Sequence, residues 1–299
     1  PQKLFNKLQY FLECGGFNGL RSPARCSVFN PEDDFFITIF PGKNRIYRFD
    51  IFGALYEKFC TRVIPLSALW NPDLHEYLIG FADGSILRFD SHLLLQGEIR
   101  LPFPLEPRLL EYNKGLFFVA DRKSSKVIGF DIQGSIKGSK IFPGKITSLA
   151  AVPHHDQLAI GFDSGFAIID SKFEILRQET HNAPRTVIAC SLNGVIWIGL
   201  STGHLWRLGE ENTKLLDIAI PHEIHNVQSM DRGIIAGSIQ GIVTLVDLWG
   251  NIVGKEELGT PLFHIGGAEG SILVFSTSLG VTTLKPNIYM EVTIIIPKN

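Results

Sequence analysis

The chain lacks most of what would mark a membrane, metal-binding or disulfide-stapled protein. No stretch approaches the roughly 18 consecutive apolar residues that a spanning helix needs. Its four cysteines, Cys14, Cys26, Cys60 and Cys190, are scattered without a Cys-x-x-Cys pair. That pattern argues against a zinc site and against a disulfide framework, and a reducing, cytoplasmic compartment is the simpler expectation. An excess of charge of one sign is also missing. The 28 Lys and Arg stand against 30 Asp and Glu for a net charge of -2, and no basic run breaks the balance. Nucleic acid and anionic membrane therefore gain no bulk attraction, and neither is expected as a partner. The chain opens on Pro1 rather than Met. It can thus be a processed product or a fragment, and a periplasmic protein that has lost a signal peptide is the alternative.

Signatures of catalysis are equally scarce. There is no Gly-x-Ser-x-Gly nucleophile elbow, no repeated Asp-box and no adjacent cysteine pair. Loop carboxylates scarcely exceed what turns require, so no acid–base pair stands out. The expectation is a non-enzyme without metal or cofactor.

What the chain does have is a phrase that recurs. Residues 67–90, SALWNPDLHEYLIGFADGSILRFD, read as strand, turn, strand, turn, strand. Asn71-Pro72-Asp73 breaks the first pair and Ala82-Asp83-Gly84 the second. Asp-Gly between two apolar runs signals a hairpin, because Gly accepts positive φ and Asp bonds nearby amides. The phrase can be laid out seven times, starting at Asp34, His75, Lys114, His155, Asn193, Asp231 and Glu269, in steps of 41, 39, 41, 38, 38 and 38 residues. A period of about 40 with four short strands suits a propeller blade. Helical repeats of that length would show a 3.6-residue period, which is missing after residue 24.

Three features keep register with the phrase. A proline precedes each first strand, at Pro23, Pro65, Pro107, Pro143, Pro184, Pro221 and Pro261; without an N–H, proline belongs in a connector or at a strand's first residue. Third strands end in Asp50, Asp90, Asp131, Asp170 and Asp247, three of them reading Asp-x-x-Gly to Gly53, Gly134 and Gly250, which suits a type I turn. First strands carry small residues, as at Ser67-Ala68, Ala150-Ala151, Ala189-Cys190 and Gly266-Gly267-Ala268, as expected where a propeller tapers toward its axis. The expectation is all-β: one seven-bladed β-propeller of four-stranded antiparallel blades over 25–299, with a short N-terminal extension over 1–24.

The extension has two readings. Leu4, Leu8, Phe11 and Leu12 fall at helical spacing, so residues 3–12 are expected as a helix on the disc; a latching strand over Leu8 to Leu12 is the rival, and Gly15-Gly16 ends either one. Because Tyr289 to Ile296 can serve as the fourth strand of blade seven, the helix is the expectation.

Blade two, with Asn71-Pro72-Asp73, Asp83-Gly84 and Phe89-Asp90, resembles the WD40-repeat family, and the resemblance extends over residues 25–299 in weakening form. It implies a seven-bladed propeller that binds protein partners through its faces. The family's opening Gly-His is absent, and its Trp-Asp becomes Phe49-Asp50, Phe89-Asp90, Phe130-Asp131, Ile169-Asp170 and Val246-Asp247.

Several constellations could carry chemistry. The recurring Asp residues are read as turn closures, since a site would break the repeat. His222, Glu223 and His225 precede the first strand of blade six, whereas His154, His155 and Asp156 follow the first strand of blade four. These connector types sit on opposite ends of a propeller, so the two groups cannot share a metal ion. Lys43 and Arg45 in the second turn of blade one, with Arg122, Lys123 and Lys126 in that of blade three, put five cations on one end, flanking the blade-two turn at Asp83. They are solvated loop charge or a patch for an acidic or phosphorylated partner. Phe52 and Trp249 sit at turn tips on the other end, as contact residues or packed beneath the N-terminal segment. The expected function is a non-catalytic platform for other proteins or peptides, a subunit of a larger assembly. The competing expectation is a propeller enzyme or small-ligand sensor with its site at the axial mouth.

Overall fold

The computed structural model describes residues 11–17, 23–121, 124–191, 193–209, 212–230, 232–268, 272–278 and 280–286. Seven four-stranded antiparallel sheets form a ring, a seven-bladed β-propeller, and no α-helix occurs among the described residues. In blade 2 the strands are Pro65–Asn71, Glu76–Phe81, Ile86–Phe89 and Leu95–Ile99, and blades 1 to 6 span 26–60, 65–99, 107–141, 146–180, 186–219 and 226–257 in the same meander. The first strand of each blade touches the first strands of both neighbouring blades, and that of blade 7, Leu262–Ala268, returns to Cys26–Asn30 of blade 1.

Because blades stack face against face, their middle strands are covered on both sides and read as apolar runs rather than as alternation. Ile37 and Ile39 of blade 1 and Tyr77 and Ile79 of blade 2 are fully buried in one such layer. Outermost strands alternate exposed and partly covered residues, as in Ile175–Thr180.

The five aspartates close the turns between third and fourth strands. Asp50 Oδ1 accepts the N–H of Phe52 at 2.9 Å and of Ala54 at 2.8 Å. Asp90, Asp131, Asp170 and Asp247 repeat the pattern two and four residues on. Each turn ends on a left-handed residue, Gly53, Gly134 and Gly250 with φ of 76°, 81° and 92°, but also Leu93 at 59° and Phe173 at 65°. Those two are buried against the preceding blade, so a side chain takes up space that glycine leaves open elsewhere.

The N-terminal expectation is corrected. Phe11–Phe17 is a strand, antiparallel to Gly280–Pro286, and it takes the fourth place in blade 7. Gly15 and Gly16 do not end it; they lie inside it, paired with Thr283 and Thr282, beyond a register shift between Glu13 and Gly15. Tyr289 to Ile296, expected in that place, and residues 1–10 lie outside the described residues. Without a distant segment blade 7 would stop at three strands where the others have four, and the pairing gained along Gly280–Pro286 outweighs the local helical spacing.

Closure is also held near the axis. His264 Nε2 accepts the N–H of Ser27 at 3.0 Å, joining the first strands of blades 7 and 1. Burial, and then the nearby Arg25, push the His264 imidazole down to about 4. The folded protein therefore keeps it neutral where the unfolded chain, with an ordinary value of about 6.5, binds a proton. Stability from this site is fully present above pH 6.5 and is lost as pH falls toward 4, by up to about 3 kcal/mol. Urea melts of wild type and His264→Gln between pH 4 and 7 should show the slope in wild type and a flatter one in the variant. Equal slopes would remove His264 as the cause.

Candidate functional site

The ends of the disc differ. One carries the connectors that enter each first strand and the turns between second and third strands. Five connectors begin with the same backbone bond: the N–H of Thr61, Phe142, His181, Ile220 and Leu258 donates to the carbonyl of Asn44, Ser125, Ser164, Gly203 and Gly241, just before the third strand. These five residues are therefore equivalent. Phe142, Ile220 and Leu258 are buried and fill the cleft between their blade and the next. His181 fills its own, bonded to Thr186 Oγ1 at 3.0 Å and set edge-on to Trp206. The longer blade 2 connector supplies Leu101, Phe103 and Leu105.

Thr61 fills nothing, and a cavity of about 280 Å³ lies beneath it between blades 1 and 2. Its wall is apolar, with Ile46, Phe59, Val63, Ile79, Phe81, Leu87, Phe89 and Leu93, and its rim holds Cys60, Thr61, Arg62, Asp83 and Ser85. Thr61 Oγ1 is buried there without a hydrogen-bond partner among the described residues. A buried hydroxyl left unmatched is costly, which sets Thr61 apart from the apolar residues at the equivalent step. Arg62 is exposed and makes no ion pair among the described residues. The Asp83 carboxylate accepts from Ser85 N at 3.0 Å and Ser85 Oγ at 2.7 Å, closing its own turn.

Of the expected site residues, the structure brings only Asp83 to this cavity. Lys43 is not in its lining; it ends the short 3₁₀ turn Pro41–Lys43, next in the chain to Asn44, whose carbonyl holds Thr61. Arg45 opens the third strand rather than sitting in the turn, and donates to the Tyr47 hydroxyl at 3.3 Å. Lys126 lies over the Phe103 ring at 5.6 Å, at the cleft between blades 2 and 3. Arg122 and Lys123 lie outside the described residues. Phe52 and Trp249, on the other end, are 63% and 65% exposed. Thr61 and Arg62 were missed by sequence reasoning, because the contrast of Thr61 with Phe142, Ile220 and Leu258 shows only once the shared backbone bond aligns them.

The two histidine groups are engaged separately: in the blade 4 turn Asp156 pairs with Lys114 of blade 3 at 3.0 Å. His222 Nε2 meets Thr244 Oγ1 at 2.9 Å, and His225 Nε2 meets Glu223 Oε2 at 3.0 Å. Among the described residues no three His, Cys, Asp or Glu side chains gather as a metal site would need, and no helix is long and apolar enough to cross a membrane. Glu111, on the first strand of blade 3, has its carboxyl pushed up to about 7 by burial, but no second carboxylate or base bonds to it among the described residues. No family model and no curated protein matches the chain.

Proposed function

We propose that the protein is a non-catalytic platform that docks an extended peptide of a protein partner on the connector end, with one large apolar side chain of that peptide seated in the cavity between blades 1 and 2. The observation that carries this reading is the missing plug at Thr61. At the equivalent step Phe142, Ile220 and Leu258 are buried in their clefts, whereas Thr61 borders an apolar space and leaves a buried hydroxyl without a partner among the described residues. The volume lies just under the roughly 300–1,000 Å³ of small-molecule pockets and suits a single leucine, methionine or aromatic side chain with its backbone at the rim.

The rim favours an acidic neighbour to that anchor. Arg62 stands at the cavity, and Asp83 is already engaged by Ser85. Unpaired rim cations raise the rate of encounter with an acidic peptide more than they raise affinity, in a salt-dependent way. The Asp-Gly and Phe-Asp turns of blade 2 support a WD40-like kinship, and the exposed thiol of Cys60 suits a reducing, cytoplasmic compartment.

Selection from a displayed library of random peptides tests the reading. Enrichment of sequences with one large apolar residue beside Asp or Glu is the expected result. Enrichment without an apolar anchor, or toward basic sequences, would contradict it.

A further inference from the structure

A second feature of the connector end lies across three other blades. Arg108 is the extra residue of a bulge, falling between Pro107 and Leu109 where the ladder to Asp121 and Ala120 shifts register. Arg185 leads into the first strand of blade 5; its N–H donates to Ser201 Oγ at 3.2 Å and its carbonyl accepts from Ser201 N at 3.0 Å. Lys145 holds the matching place in blade 4, its carbonyl accepting from Asp163 N at 2.9 Å. Three cations thus stand at the entrances to the first strands of three consecutive blades, and none makes an ion pair among the described residues.

Arg185 is poorly compensated. Arg185 Nε is buried without a hydrogen-bond partner among the described residues. Burial and then the charge of Arg108 hold the Arg185 guanidinium below its usual value, with Asp163 acting the other way but beyond ion-pair reach. The first strands of blades 3 and 4 touch, as do those of blades 4 and 5, so the three entrances stand side by side on one end of the disc. At the entrance to blade 4 the bulge residue is Thr147, whose hydroxyl donates to Thr186 O, 2.5 Å away. Guanidinium groups with free, forked donors match the oxygens of a tetrahedral oxyanion, which would also neutralise their mutual repulsion.

We propose that Arg108, Lys145 and Arg185 form a binding site for a phosphate monoester at the entrance to blade 4. The site is separate from the cavity of blades 1 and 2 and does not depend on the docking reading above.

The test uses the full chain and a fluorescent Gly/Ser peptide with one phosphoserine, which offers the cavity no apolar anchor. At constant ionic strength the phosphopeptide should bind saturably and its unphosphorylated twin should not. Inorganic phosphate should compete and raise the melting temperature. Arg108→Gln/Arg185→Gln should weaken phosphopeptide binding at least tenfold with an unchanged or higher melting temperature in buffer, whereas Thr61→Phe should leave it intact. If inorganic phosphate raises the melting temperature of wild type alone and the phosphopeptide does not bind, the site stands with a free anion as its ligand. Equal binding of the two peptides, no response to inorganic phosphate, or wild-type binding by the double variant would each overturn it.

Discussion

Removal of residues 1–17 is expected to abolish the cooperative unfolding transition of the protein or to lower its midpoint drastically. Phe11–Phe17 is the outer strand of blade 7, and without it Gly280–Pro286 becomes a bare edge of seven residues in the sheet that joins the last blade to the first. A ring has no redundancy at its closure, because both neighbours of blade 7 lose a packed wall if that blade frays. Against a net stability of only ~5–15 kcal/mol, losing such a strand is a large fraction of the whole. Circular dichroism and urea melts of the truncated chain would show it, and a synthetic peptide covering the missing strand should restore the transition in trans. A truncated protein that melts like wild type would mean that another segment covers the edge.

The second large effect is expected at Phe173. This residue sits at φ 65° in the blade 4 turn and is buried against blade 3. Its ring occupies a slot made by two glycines: a Cβ on Gly129 would lie 2.4 Å from Phe173 Cζ, and one on Gly138 2.3 Å from Cδ2. Phe173→Ala should therefore destabilise by about 3–5 kcal/mol, as for other buried aromatics cut back to alanine. The left-handed φ adds little to this difference, because both residues bear a Cβ. Gly138→Ala should also be costly in wild type, yet close to neutral once the ring is gone, and that coupling is the signature of the slot. Strictly additive losses, or a Phe173→Ala cost below about 1 kcal/mol, would place the ring elsewhere.

What was legible in the sequence was whatever repeats locally. The spacing of the phrase, the prolines at Pro65 and Pro107 that open their strands, and the aspartates that close turns all concern residues within a few positions of one another. Turn chemistry and alternation are carried by such short separations, so seven blades could be counted without coordinates. Closure could not be. Phe11 pairs with Pro286, and the residues between contain no cue that outweighs the helical spacing of Leu4, Leu8, Phe11 and Leu12. Phe173 was hidden for a related reason, since an Asp-x-x-Phe turn is explained only by the glycines it faces in another blade. The cavity was the hardest to see. Connectors of different length have no fixed register in sequence, and Thr61 becomes unusual only after the shared N–H bond aligns it with Phe142, Ile220 and Leu258. The surroundings of single charges were not legible either: Arg45 bonds the Tyr47 hydroxyl and Lys126 lies over the Phe103 ring, while Arg62 stands at the rim of the cavity.

The docking cavity can be closed by one substitution. Thr61→Phe places at blade 1 the side chain that Phe142 supplies at the equivalent step, fills the space beneath it and removes a buried hydroxyl without a partner. Titration of the best library-selected peptide against wild type and Thr61→Phe, with melting temperatures recorded for both, is the most direct measurement. The expected result is at least a tenfold loss of affinity, about 1.4 kcal/mol, in a variant that melts at or above the wild-type temperature. Unchanged affinity in that folded variant would contradict the assignment of the blade 1–2 cavity as the docking site.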